Sequence, residues 1–142
     1  MPIRFRTLLF TAAALALALP LVATAAAGDR ALTIGADQVA EGATVYSNAC
    51  AECHGARLEG FAHFPALVGR AFQNRWGERP IADLHTFVVE QMPLGAGGTL
   101  SDEAYAAVVA YLLERNGLEP GATPFDPTDD VSVLELPLRF GE

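Results

Sequence analysis

The apolar positions of this chain fall into one continuous run and several spaced patterns. The run, Thr7 to Leu19, follows Arg4 and Arg6, is broken by Pro20, and leads into small residues through Ala27. Basic start, apolar centre and small-residue exit are the order of a secretory signal peptide. The run is shorter than the roughly 20 apolar residues of a bilayer span, so it reads as cleaved, after Ala23-Thr24-Ala25 or Ala25-Ala26-Ala27, leaving no stable membrane span. Further on, Val39, Gly42, Val45 and Tyr46 recur at helical spacing, with Asp37 the expected N-cap of a helix reaching about Cys50. Ile81, Leu84, Val88 and Val89 predict a second helix from Pro80 to about Gln91, stopped by Pro93. A third starts after Ser101, with Asp102 and Glu103 in its first turn, runs through Tyr105, Val108, Val109, Tyr111 and Leu112, and ends at Asn116-Gly117. No run alternates as a strand would, and the chain reads as all-α.

Removing residues 1–27 from 142 leaves 115, enough for one small domain. The expected division is a signal peptide over 1–27, an N-terminal extension over 28–36, a helical domain over 37–121, and a C-terminal extension over 122–142. In the extension a polar stretch with Pro124, Asp126, Pro127, Asp129 and Asp130 leads into the apolar segment Val131 to Phe140. That segment is too apolar for an idle tail and too short for a domain, so it packs on the domain or on a partner protein. The chain has 17 acidic and 9 basic residues, a net charge of −8 that becomes −10 when Arg4 and Arg6 leave. Such a surface argues against nucleic acid as a partner; it keeps an exported protein soluble or steers it toward a basic docking face.

The only two cysteines, Cys50 and Cys53, are followed directly by His54. Cys-x-x-Cys-His is the pattern of c-type haem attachment: two thiols three residues apart add to the two vinyl groups of one porphyrin, and the adjacent imidazole falls on the iron. A redox disulfide or part of a zinc site uses the same residue types. Zinc wants four ligands, or three and a water, and beyond the motif only His63 and His85 supply imidazoles. The export signal agrees with haem attachment, and two cysteines committed to haem leave none for a disulfide framework.

From about position 37 to 117 the chain resembles the class I cytochromes c. Gly42 and Tyr46 stand eight and four residues before Cys50, where that family places a glycine and an aromatic, and Ala110-Tyr111-Leu112 matches the segment of its last helix that crosses them. The resemblance implies three to four helices wrapped around one covalently attached haem c, added outside the cytoplasm, hence a periplasmic protein of a Gram-negative-type bacterium. Phe64-Pro65-Ala66-Leu67-Val68-Gly69 resembles the family's Pro-x-Leu-x-Gly segment, which implies that the Pro65 carbonyl accepts a hydrogen bond from His54 Nδ1. Arg75-Trp76-Gly77, Asp83-Leu84, Met92-Pro93, Leu100-Ser101, Tyr105 and Ala110 to Leu113 resemble, more narrowly, the cytochrome domains associated with periplasmic quinoprotein dehydrogenases. The stretch Gly95 to Thr99 departs from that subgroup, which has Pro-Gly there. The narrower resemblance implies a quinoprotein dehydrogenase as electron donor and a cytochrome or terminal oxidase as acceptor.

Met92 is the only methionine besides the initiator, and it sits at a helix end beside Pro93 and a glycine-rich loop. That placement, and the Met-Pro pair of the family, make it the expected sixth ligand to the iron opposite His54, with His85 and His63 as competitors. Trp76, Arg70, Arg75 and Arg79 cluster between Pro65 and the second helix and are candidates to meet the haem propionates. With His54 and Met92 both on the iron no position is open to a substrate, and electron transfer is the expected function, the chain being a carrier and not an enzyme. The competing reading is a haem enzyme or gas sensor with a labile sixth ligand; Met92 alone separates the two.

Overall fold

In this computed structural model, which describes residues 31–141, the expected helices appear as α1 (Ala36–Ala49), α4 (Ile81–Gln91) and α5 (Asp102–Arg115), with two short additions, α2 (Ala51–His54) and α3 (Arg70–Trp76). A 3-10 helix, Val131–Glu135, follows near the C-terminus. Among the described residues there are isolated bridges but no strands, so the all-α expectation holds. The expected signal peptide lies outside the described residues. Among those described, no helix is long and apolar enough to cross a membrane.

Two local expectations need correction. Gly35, not Asp37, is the N-cap of α1, and Asp37 lies in the first turn; there its carboxylate still faces the positive end of the helix. The connection after the cysteine motif, for which the apolar spacing predicts no helix, holds α3, where Phe72 and Trp76 are buried four residues apart on one face. Seven residues are too few for a periodic pattern to declare itself, and tertiary packing makes this helix. Ser101 caps α5 as expected, its hydroxyl accepting from the Ala104 amide.

The core is built around α5. Every residue from Tyr105 to Leu113 is buried, the behaviour of a helix enclosed on all sides. Helix α1 crosses it where Gly42 lies against the backbone of Ala107 and the side chain of Tyr111, and the rings of Tyr46 and Tyr111 meet beside the crossing at 5.5 Å.

The C-terminal segment is laid over this core. The Glu78 amide donates to the Leu138 carbonyl, the Leu138 amide to Arg79, and the Ile81 amide to Leu136, each at 2.8 Å. Leu138, Val133 and Phe125 are buried, and Phe140 meets Phe72 edge-on at 6.0 Å. The Gln38 side chain donates to the Phe125 carbonyl at 2.7 Å and accepts from its amide at 2.9 Å, joining this segment to α1. The Gly121 amide reaches the Ile34 carbonyl at 2.8 Å.

Candidate functional site

Helix α1 ends on Cys50, whose amide still donates to Tyr46 while its carbonyl accepts from the amides of Cys53 and His54. The chain thus re-enters a helical turn at once, presenting both thiols and the imidazole within one turn. Gly55, at φ +83°, ends that turn in a conformation side chains rarely adopt. The Tyr46 hydroxyl donates to the Gly55 carbonyl at 2.6 Å, so the helix carrying the motif also holds its exit. Burial, and then the neighbouring Cys50, push the Tyr46 hydroxyl far above its ordinary range.

His54 is buried, and its Nδ1 lies 2.9 Å from the Pro65 carbonyl oxygen. A carbonyl can only accept, so Nδ1 carries the proton and the ring's lone pair is on Nε2. The segment bearing that carbonyl is fixed in turn. The Asn116 amide group donates to the Leu67 carbonyl at 2.9 Å and to the Leu112 carbonyl at 2.8 Å, and its oxygen accepts from the Gly69 amide at 3.0 Å. The sequence marks Asn116 only as a helix end; its burial and its three partners are visible only in the fold.

Across a cavity of about 430 Å³, α4 ends at Met92, whose amide donates to Val88 at 3.1 Å. Cys50, Cys53, His54, Pro65, Arg75, Trp76 and Met92 all line this cavity, with Leu67, Phe72, Leu84, Phe87, Val88, Val108 and Leu112 among its apolar walls. His63, His85, Arg70 and Arg79 are not among its lining residues. His63 is exposed, and the His85 ring packs edge-on against Phe125 at 5.8 Å.

The three candidate arginines have different surroundings. The Arg75 guanidinium stacks 4.8 Å from the ring centres of both Trp76 and Phe87. Arg79 lies 5.2 Å from Trp76 and pairs with Asp83 at 2.7 Å. Arg70 is exposed at the start of α3. Arg75 is therefore a cation held by two aromatic faces at the cavity wall.

The donor set fits a covalently held haem. Cys50 and Cys53 are unbridged, and burial followed by the nearby Cys53 pushes the Cys50 thiol up to about 11, favouring the protonated thiol over a thiolate. Among the described residues no three His, Cys, Asp or Glu side chains are placed to hold a metal ion, which leaves the motif without the partners a zinc site needs. A large apolar space, one imidazole with its outer nitrogen satisfied, one thioether and one stacked cation are what a macrocycle with a central iron and acidic edge groups requires.

A family described as cytochrome c oxidase, cbb3-type, subunit III, matches residues 37–112, a span that includes Cys50, Cys53, His54 and Met92. A thiosulfate dehydrogenase from Stutzerimonas stutzeri is 38% identical over 85 residues, which cover 55% of this chain and 27% of that protein. The chain thus spans about a quarter of that relative's length. Among solved structures, the sulfane dehydrogenase SoxCD from Paracoccus pantotrophus aligns at 26% identity with a TM-score of 0.48, over 65% of this chain and 54% of that one.

Proposed function

The chain belongs to the family described as cytochrome c oxidase, cbb3-type, subunit III, a family of c-type cytochrome domains, and from that premise we propose that it carries single electrons on one covalently bound haem c in the periplasm. The observation that carries the reading is the meeting of Cys50, Cys53, His54 and Met92 at one apolar cavity from which His63 and His85 are absent.

Bound haem supplies the one-electron iron couple; the chain's own residues decide how that couple is used. The Cys50 and Cys53 thiols would anchor the macrocycle, so that the carrier would not lose it on dilution. His54 Nε2 would hold the iron, its ring oriented by the Pro65 carbonyl on Nδ1. The Met92 thioether would supply a second ligand to the iron, which would favour the reduced state and leave no position for a substrate or gas. Apolar walls would keep water away, and Arg75, held against Trp76 and Phe87 at the cavity wall, would meet the propionates more directly than Arg79, already paired with Asp83, or Arg70.

We propose a dehydrogenase as donor and a downstream cytochrome or oxidase as acceptor. The relative named thiosulfate dehydrogenase favours a donor acting on sulfur compounds over the quinoprotein dehydrogenase that the narrower resemblance implied. Mixing the reduced form of each kind of dehydrogenase with this protein and following haem reduction tests the choice.

The purified ferric protein is expected to be low-spin, to show the weak far-red band of an iron–thioether bond, and to keep its haem through denaturing mass spectrometry. Met92→Ala should lower the reduction potential and admit external ligands. A high-spin ferric protein that binds imidazole at once would instead establish the enzyme or gas-sensor reading.

A further inference from the structure

We infer that Tyr105 is a positioning residue whose hydroxyl clamps the backbone of Met92 to α5 and sets how readily the thioether lets go of the iron. The inference rests on the proposed role of Met92 as distal ligand. The Tyr105 ring is 1% exposed. Its hydroxyl donates to the Met92 carbonyl at 2.9 Å and accepts from the Leu100 amide at 3.5 Å. One oxygen thus touches both ends of the loop from Met92 to Leu100.

The other bonds of that loop are of a different kind. The Ala96 amide donates to Pro93 at 2.7 Å and the Thr99 hydroxyl to Ala96 at 2.7 Å, both within the loop, while the Gly98 amide reaches Val89 at 2.8 Å on α4. Gly97 lies so close to the Glu90 carbonyl that a Cβ would collide with it. The loop is therefore a preformed unit that rides with the end of α4, and the Tyr105 hydroxyl fastens it to the helix at the centre of the core. Leu94, in the same loop and on the cavity wall, is 72% exposed, so the loop's outer side faces solvent. Lifting Met92 away from the cavity breaks the Tyr105 bond and strips a carbonyl of its partner. The hydroxyl has no part in the electron transfer itself; it acts through Met92.

The test compares the haem-loaded natural protein with Tyr105→Phe, which keeps the ring, and with Val133→Ala, which thins the core beneath the C-terminal 3-10 helix. The readouts are the far-red thioether band and the limiting rate at which imidazole enters the ferric protein. Tyr105→Phe should retain the band yet admit imidazole roughly five- to tenfold faster, the worth of one net hydrogen bond. Val133→Ala should lower the melting temperature and leave imidazole entry unchanged. Equal rates in Tyr105→Phe and the natural protein would overturn the clamp, as would equal acceleration in Val133→Ala. If the natural protein itself lacks the band, Met92 is not the ligand, and both readings fall. Should Tyr105→Phe not load haem, the natural protein still decides: the Leu100 amide should exchange with solvent no faster than imidazole enters, and exchange at unprotected rates would refute the clamp.

Discussion

Gly42 and Ala107 meet backbone against backbone. A Cβ built on Gly42 would collide with the Ala107 carbonyl oxygen and come within 2.8 Å of the Tyr111 Cβ. Neither neighbour is the free end of a flexible side chain, so a larger residue must push α1 and α5 apart. Gly42→Ala is expected to destabilise the fold by about 1–3 kcal/mol, and Gly42→Val by more. Because α1 ends on the cysteine motif, the loss should appear both as a lower melting temperature and as poorer haem loading during expression. A melting temperature unchanged in Gly42→Ala would mean that the helices do not cross this closely.

Asn116 joins the end of α5 to the segment that carries Pro65. Replacing it with alanine leaves the Leu67 carbonyl and the Gly69 amide without the partners described above, and each net hydrogen bond lost at such a part-buried junction costs about 0.5–1.5 kcal/mol. Asn116→Ala is therefore expected to lose about 1–3 kcal/mol of stability to denaturant, and Asn116→Asp, which keeps the acceptor for Gly69 but not the donors, to lose nearly as much. Pro65→Ala makes a useful contrast. The bond to His54 comes from a backbone carbonyl, so this substitution should cost only the stiffness of the turn, about 1 kcal/mol or less, and leave the haem spectrum as it was.

The difference between Pro65 and Asn116 also shows what was legible in the sequence. Residues whose chemistry is tied to a spacing, as that of Cys50, Cys53 and His54 is, could be grouped from the sequence, and they do line one cavity. Helices whose apolar faces repeat over several turns could be read too, and α5 was bounded correctly because Ser101 and Gly117 are local signals. Tyr105 and Asn116 were visible only as members of a helix, since their partners, Met92 and Leu67, lie 13 and 49 residues away. The same limit applies to the arginines: composition could gather Arg70, Arg75 and Arg79, but only packing shows that Phe87, from another helix, completes the aromatic slot around Arg75.

That slot separates the arginines experimentally. A positive charge near the haem edge favours the reduced iron, which carries one positive charge fewer, so Arg75→Gln should lower the reduction potential by on the order of tens of millivolts. Arg79→Gln removes a charge already paired with Asp83 and should move it less. Spectroelectrochemical titration of the two variants measures the difference directly. A larger shift for Arg79 would place the propionates elsewhere than the Arg75 wall.

His85 gives the fold an acid-sensitive position outside the lining of the cavity. Its ring is partly buried against Phe125, and burial lowers its pKa below the ordinary histidine value, an effect that Asp102 partly offsets. The folded state therefore takes up a proton less readily than the unfolded chain. His85 leaves stability untouched above its unfolded value near 6.5, and stability is lost as pH falls from there toward the lower folded pKa. Its replacement by glutamine, which cannot charge, should flatten the stability curve across that window while leaving stability at pH 8 nearly unchanged. Denaturant unfolding at a series of pH values measures the slope, and an NMR titration of the His85 ring locates the midpoint. A midpoint at or above the ordinary value, or an identical acid slope in His85→Gln, would show that the ring is not buried against Phe125 in solution.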